Sequence, residues 1–180
     1  MKFISDIQLK LAKFQLGRAA VLERNVQSIN LKEAKTLGIV YCANNEESTD
    51  LVKRYVKFLR EYKIKVKAIG YFEENELPLN VNSTLEFDYI TQKDLNFGLQ
   101  PRGIITSNFL EEEYDILIDV NVENNIVMQY LVHYSKAKFK VGADRLKYKN
   151  QFDLTIILKP EEGARQLMKN IDRYLHVIHA

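Results

Sequence analysis

The stretch Tyr114-Asp115-Ile116-Leu117-Ile118-Asp119-Val120 decides the fold class of this chain. Four of its seven residues are aliphatic, and neither glycine nor proline interrupts the run. A short apolar run of this kind is typical of a strand that is buried on both faces, as in the centre of a parallel sheet. Shorter runs of the same type precede and follow it, and helical patterns separate them.

The order of these patterns predicts an α/β fold. Residues 36–43 and 64–72 read as strands with a helix over residues 49–62 between them, a unit whose length implies parallel pairing. Further strands are predicted at residues 85–91, 138–141 (ended by Gly142) and 152–158, and helices at residues 108–113, at 125–134 and at the end of the chain, with Pro160 near the first turn of this last helix. We therefore expect one three-layer, Rossmann-like α/β domain over residues 31–180, with a mostly parallel sheet whose central neighbours are the 36–43 and 115–120 strands.

Residues 1–30 are predicted to add a basic amphipathic helix, which covers residues 2–28. Its apolar stripe recurs at spacings of three, four and seven and consists of Ile4, Ile7, Leu11, Phe14, Val21 and Leu22. Residues 1–35 carry a local net charge of +4, whereas the whole chain carries +2. Two interpretations stay open: a helix packed on the domain edge, or a docking arm for a membrane surface, an anionic assembly or an acidic protein. The candidate docking side chains are Lys2, Lys10, Lys13 and Arg18.

Composition excludes several classes of protein. The chain has 180 residues, 46% hydrophobic and 28% charged, which are ordinary globular values. Because 26 Lys and Arg nearly balance 24 Asp and Glu, no specific nucleic-acid partner is predicted. There is no apolar run of the ~20 residues that a membrane span needs and no secretory signal, so we expect a cytoplasmic protein, with peripheral binding to a membrane or large assembly as an option. Cys42 is the only cysteine, and we interpret it as a buried structural thiol.

Polar side chains follow the predicted central strands. In an open parallel sheet, ligands bind beyond the carboxyl ends of the strands, near the point where strand order reverses. The candidate ligand-binding residues there are Asn44, Glu46, Ser48, Asp119, Asn121, Gly142, Asp144 and Arg145. The alternative interpretation is that these residues serve only as caps and turns.

The first loop argues against a nucleotide. It has no glycine and carries Glu46 and Glu47 at a helix N-terminus, where phosphate binding needs bare backbone N–H groups. No cofactor is therefore predicted. No metal site is predicted either, because His176 and His179 share a helix face without a third ligand. No catalytic residue is assigned, since Cys42 has no evident base partner.

The sequence is compatible with two functions. The first is a non-catalytic binding or interaction module built on a degenerate Rossmann-like domain. The second is a small transferase or hydrolase, glycosyltransferase-like, that uses Asp119, Asp144 or Glu46 in the crevice above the sheet. A deep pocket that unites these carboxylates would favour the enzyme, whereas a shallow, solvated surface would favour the binding module.

Two resemblances involve the central strand. Residues 114–119, a following helix and the basic strand 137–142, which ends in Gly142, are similar to the acceptor-side domain of the heptosyltransferase family of B-type glycosyltransferases. That resemblance implies the fold and not the activity, because the family's nucleotide-sugar domain and glycine-containing first loop have no counterpart here. More broadly, residues 36–178 resemble a family of uncharacterised small proteins of Bacteroidota, at residues 37–40, 47–48, 69–71, 94–98 with Pro101, the central strand, 137–142 and 152–154. This second resemblance implies a fold and a source but no chemistry.

Overall fold

A single parallel sheet forms the centre of the molecule. The computed structural model describes residues 5–20, 22–44, 46–145 and 151–178. Within these ranges the strands are β1 (Thr36–Cys42), β2 (Lys65–Tyr71), β3 (Phe87–Ile90), β4 (Ile116–Asp119), β5 (Phe139–Ala143) and β6 (Leu154–Ile156). Their order is β3-β2-β1-β4-β5-β6, and every neighbouring pair is parallel. The predicted adjacency of the 36–43 and 115–120 strands is confirmed, because β1 pairs with β4 at the centre.

Helices cover both faces of the sheet and complete three layers. One face carries α2 (Glu46–Glu61) and α5 (Ala164–Val177). The other carries α1 (Asp6–Arg18), α3 (Ile104–Glu111) and α4 (Ile126–Tyr134). Side chains alternate between the faces along each strand, so β1 gives Leu37 and Ile39 to one core and Val40 to the other. The predicted three-layer, Rossmann-like α/β fold is confirmed.

The prediction of one helix over residues 2–28 is wrong in its length. The helix α1 ends at Arg18, and Ala19 takes an extended conformation (φ −62°, ψ 133°). Residues 22–30 contain no helix. Residues 1–4 and 21, which include Lys2, Ile4 and Val21, lie outside the described ranges.

The non-helical chain after α1 makes contacts with β5 and its neighbours. The guanidinium of Arg24 donates to the main-chain carbonyls of Ala137 and Lys138, both at 3.1 Å, and pairs with the Asp153 carboxylate at 2.5 Å. The backbone N–H of Gln27 donates to the carbonyl of Lys138 at 3.2 Å. The segment is thus hydrogen-bonded to the chain at the amino end of β5. These hydrogen bonds stabilise the non-helical conformation more than the helical pattern of the sequence favours a helix.

The predicted apolar stripe of α1 is also out of phase with the buried face. The side chains that pack against α4 and its surroundings are Leu9, Ala12 and Leu16. Ile7 is 70% exposed and Phe14 is 56% exposed. The small Ala12 lets the helix approach closely, which the larger residues of the predicted stripe would prevent.

Three other boundaries differ from the predictions. The helix α3 begins at Ile104 rather than at residue 108, after Gly103, which has a φ of +95°. The strand β5 continues through Gly142 to Ala143, so Gly142 does not end it. The helix α5 begins at Ala164, beyond Pro160. None of the helices in the described ranges combines the length and the apolar character that crossing a membrane requires.

Candidate functional site

A cavity lies where the strand order reverses, at the carboxyl ends of β1 and β4. Its volume is about 390 Å³, and its polar lining includes Asn44, Ser48, Glu73, Asn121, Glu123 and Asn125. Three of the eight predicted ligand-binding residues are therefore brought together here: Asn44, Ser48 and Asn121. The other five, Glu46, Asp119, Gly142, Asp144 and Arg145, do not line this cavity.

The asparagines of the cavity are bonded to the protein itself. The carboxamide oxygen of Asn44 accepts from the backbone N–H of Glu73 at 3.0 Å, and its nitrogen donates to the Glu74 carboxylate at 3.0 Å. The side-chain oxygen of Asn125 accepts from the backbone N–H groups of Val127 and Met128 at 3.0 and 3.2 Å and so caps α4. These amides serve local turns and helix ends.

Asp119, the last residue of β4, forms a buried ion pair. It is fully buried, and its carboxylate binds the guanidinium of Arg145, which is itself nearly buried. Asn121 joins the pair, because its side-chain nitrogen donates to Asp119 at 2.5 Å while its oxygen accepts from the Cys42 N–H at 2.7 Å. The guanidinium also donates to the carbonyl of Glu123 at 3.3 Å. The pair and its hydrogen bonds tie β1, β4 and the chain after β5 together.

The remaining predicted residues stand apart. A Cβ added to Gly142 would lie 2.5 Å from the ring of Phe152, so this glycine provides room for an aromatic side chain. Asp144 is exposed, and its backbone N–H donates to the carbonyl of Ile156 at 2.8 Å. Glu46 is an exposed residue at the start of α2, where its carboxylate interacts favourably with the positive end of the helix dipole.

The chemistry available in this cavity is limited. Burial, with the nearby carboxylate of Asp119, raises the pKa of the Cys42 thiol to about 12, so the thiol is protonated at neutral pH. Among the described residues there is no group of three or more His, Cys, Asp and Glu side chains that could hold a metal ion. His179 lies outside the described residues. The arrangement offers hydrogen bonding to a polar ligand, without a nucleophile–base pair along its lining.

A second surface is formed by the side of α1 that faces away from the domain. It consists of Ile7, Lys10, Leu11, Phe14 and Arg18, and we call it the outer face of α1. Residues 7, 11 and 14 follow one another at spacings that align on one side of a helix. The guanidinium carbon of Arg18 lies 4.5 Å from the centre of the Phe14 ring, a cation–π contact. Lys13 is exposed on the flank of this face.

Sequence analysis named residues of both arrangements, but it predicted neither the Asp119–Arg145 ion pair nor the exposure of Ile7 and Phe14. Asp119 and Arg145 are 26 positions apart, and only the pairing of β4 with β5 brings them together. The helix α1 carries two apolar stripes, and their spacing alone does not distinguish the stripe that is packed. A weak signal was the small Ala12 between Leu9 and Leu16, which is typical of close helix packing.

Comparison with family models identifies one family. Its description is "Family of unknown function (DUF6913)", and its model matches residues 9–178. Comparison with curated proteins and with solved structures gives no match. The resemblance to heptosyltransferases and the expected source therefore stay predictions. Since the match spans nearly the whole chain, the protein belongs to the family of unknown function DUF6913.

Proposed function

We propose that the protein is a non-catalytic interaction module that docks on an anionic membrane surface through the outer face of α1. The observation that carries the proposal is the exposure of Ile7 and Phe14 on a helix whose opposite side is already packed. Large apolar side chains grouped on one helix face are typical of a surface that binds another apolar phase.

The charge around this face complements an anionic surface. Lys10 and Lys13 are exposed and have no carboxylate partner among the described residues, and Arg18 contacts only the Phe14 ring there. Each cation near an anionic membrane contributes about 1 kcal/mol, so these three contribute about 3 kcal/mol before any apolar insertion. Association of this strength is reversible and sensitive to salt. The proposal includes a cytoplasmic location, where the membrane leaflet carries anionic lipids.

The arrangement of carboxylates supports a binding module over the alternative of a small enzyme. Glu46 and Asp144 are exposed at separate places, and Asp119 is neutralised by Arg145 within the core. General acid–base catalysis needs such groups within hydrogen-bond reach of one substrate position. The cavity above the sheet does not bring the three carboxylates together.

Vesicle co-sedimentation tests the proposal. The full chain is mixed with phosphatidylcholine vesicles with or without phosphatidylserine, at low and high salt. We expect sedimentation with phosphatidylserine vesicles only, and its loss at high salt because exposed charges are screened over ~8 Å at physiological ionic strength. The Ile7→Ser/Phe14→Ser variant should stay in the supernatant while melting at an unchanged temperature, because both side chains are exposed.

A matched control keeps the test specific. Val177 is exposed on α5, so Val177→Ser removes an apolar side chain elsewhere and should sediment like the unmodified protein. Equal sedimentation of the Ile7→Ser/Phe14→Ser variant, or equal binding to neutral vesicles, would refute the proposal. Absence of vesicle binding by the unmodified chain would refute it as well and would direct attention to an anionic protein assembly.

A further inference from the structure

A larger cavity lies at the opposite end of the sheet from the cavity described above, beside the amino ends of β1 and β2. Its volume is about 680 Å³, within the range of small-molecule sites. One wall is the end of α3 with Tyr114, and the other is the segment at Leu85 that leads into β3. We call it the amino-end cavity. All of its lining residues lie in the described part of the chain.

The rim of the amino-end cavity is cationic. Its lining includes four cations, Arg60, Lys63, Lys65 and Lys67, against the two carboxylates Glu86 and Glu112. Two of the cations are paired: Arg60 with Glu86 at 3.2 Å and Lys67 with Asp88 at 2.7 Å. Lys63 and Lys65 are exposed and have no carboxylate partner among the described residues. Two ammonium groups are therefore available to an anion.

The backbone at Lys63 is a second, independent observation. Lys63 has a φ of +62°, a left-handed conformation that favours glycine. It follows the end of α2, where the N–H of Lys63 donates to Arg60 and the N–H of Ile64 donates to Leu59, a Schellman motif. Glycine or asparagine usually occupies this position. A lysine at this position places a cation beside the cavity, although the left-handed backbone conformation is unfavourable for a residue with a side chain. Strained backbone conformations of this kind cluster at binding sites.

The remaining lining of the cavity is mainly carbon. Leu85 is 86% exposed, and the other apolar and aromatic lining residues are Ile64, Val66, Phe109 and Tyr114. We propose that the amino-end cavity binds a small amphipathic anion, a carboxylate carried on an apolar chain of fatty-acid type. Lys63 and Lys65 hold the carboxylate, and Leu85 covers the chain.

Other anions fit less well. Phe109 and Tyr114 are buried and pack against each other with ring centres 5.1 Å apart, so neither ring offers an open face on which a nucleotide base could stack. A bare phosphate would leave the apolar wall unused. The lysines supply point charges without the nest of backbone N–H groups that phosphate sites use.

Calorimetric titration with decanoate, below its micelle concentration, tests the proposal. Decanol supplies the same chain without the charge, and inorganic phosphate supplies the charge without the chain. We expect decanoate to bind and decanol to bind at least about tenfold more weakly, the loss associated with one charge-assisted interaction. Phosphate should also bind at least about tenfold more weakly, because it buries no apolar chain against the cavity wall. Lys63→Gly and Lys65→Gln should each weaken decanoate binding several-fold, and Leu85→Ser should do the same.

The Lys63→Gly variant separates binding from folding. Glycine adopts the left-handed conformation freely, so this variant should melt at the same or a higher temperature while binding decanoate less tightly. Lys53→Gln, an exposed lysine of α2 outside the cavity lining, is the matched control and should bind like the unmodified protein. The proposal is overturned if the unmodified chain does not bind decanoate, if decanol or phosphate binds equally well, or if the lysine variants bind unchanged. It is also overturned if only Ile7→Ser/Phe14→Ser abolishes the signal.

Discussion

Replacing Asp119 with asparagine tests how much the buried Asp119–Arg145 ion pair contributes to stability. The substitution keeps the size and most of the hydrogen-bonding capacity of the side chain but removes its charge. Arg145 would then remain buried without its partner, since both side chains are almost fully buried. Removing one member of a buried pair costs about 3–5 kcal/mol. At about 2–4 °C per kcal/mol for a domain of this size, the melting temperature should fall by about 10 °C.

Scanning calorimetry and urea unfolding measure this loss. The double variant Asp119→Leu/Arg145→Met removes both charges and should recover most of the stability, because apolar side chains can replace a buried pair. Asp50 and Arg54 form an exposed pair at 4.0 Å on α2, so Asp50→Asn is the control and should leave the melting temperature unchanged. A loss below about 1 kcal/mol for Asp119→Asn would show that the pair is not needed for folding.

Three further predictions concern single side chains. Burial lowers the pKa of Lys140 from 10.5 to about 7, so the unfolded chain binds more protons than the folded chain between these values. Stability should therefore rise by about 2 kcal/mol from pH 7 to pH 9, and urea unfolding of Lys140→Met should lack this rise. Gly142→Ala should lower stability by about 1–3 kcal/mol because its Cβ meets the Phe152 ring, and Phe152→Leu should restore part of the loss in thermal melts. Cys42 is only partly buried and lines the cavity above the sheet, so the expectation of a buried thiol is met only in part. Because its pKa is raised to about 12, it should react with a thiol reagent at pH 8 far more slowly than an unfolded cysteine, and faster as the pH rises; fast reaction at pH 8 would contradict the raised pKa.

The sheet was predictable because its strands are continuous apolar runs. β4 has four buried residues, and a strand buried on both faces cannot alternate apolar with polar residues. The placement of β1 beside β4 followed from the rules of parallel sheets. Gly142 misled the prediction of where β5 ends, because a glycine at a strand end and a glycine under an aromatic ring look alike in sequence.

The surroundings of the strands were less predictable, because tertiary contacts determine them. Residues 22–28 have a helical pattern, yet they form no helix and are held instead by the hydrogen bonds of Arg24 to the main chain at β5. The partners of Asn44 and Asn121 are backbone groups from other loops, which no local pattern reveals. The cations of the amino-end cavity are spread over residues 60–67, and their convergence with Leu85 depends on how β3 pairs with β2.

One fluorescence measurement tests the central claim, that the outer face of α1 docks on an anionic membrane. The chain contains no tryptophan, so Phe14→Trp introduces a single reporter on that face. Tyr174 is half-exposed on α5, on the other side of the sheet, and Tyr174→Trp is the matched control. We expect the tryptophan emission of the Phe14→Trp variant to shift to the blue on adding phosphatidylserine vesicles, reversibly with salt, and the control to show no shift. Emission of Phe14→Trp that stays unchanged with vesicles, or a shift equal to that of Tyr174→Trp, would contradict the claim.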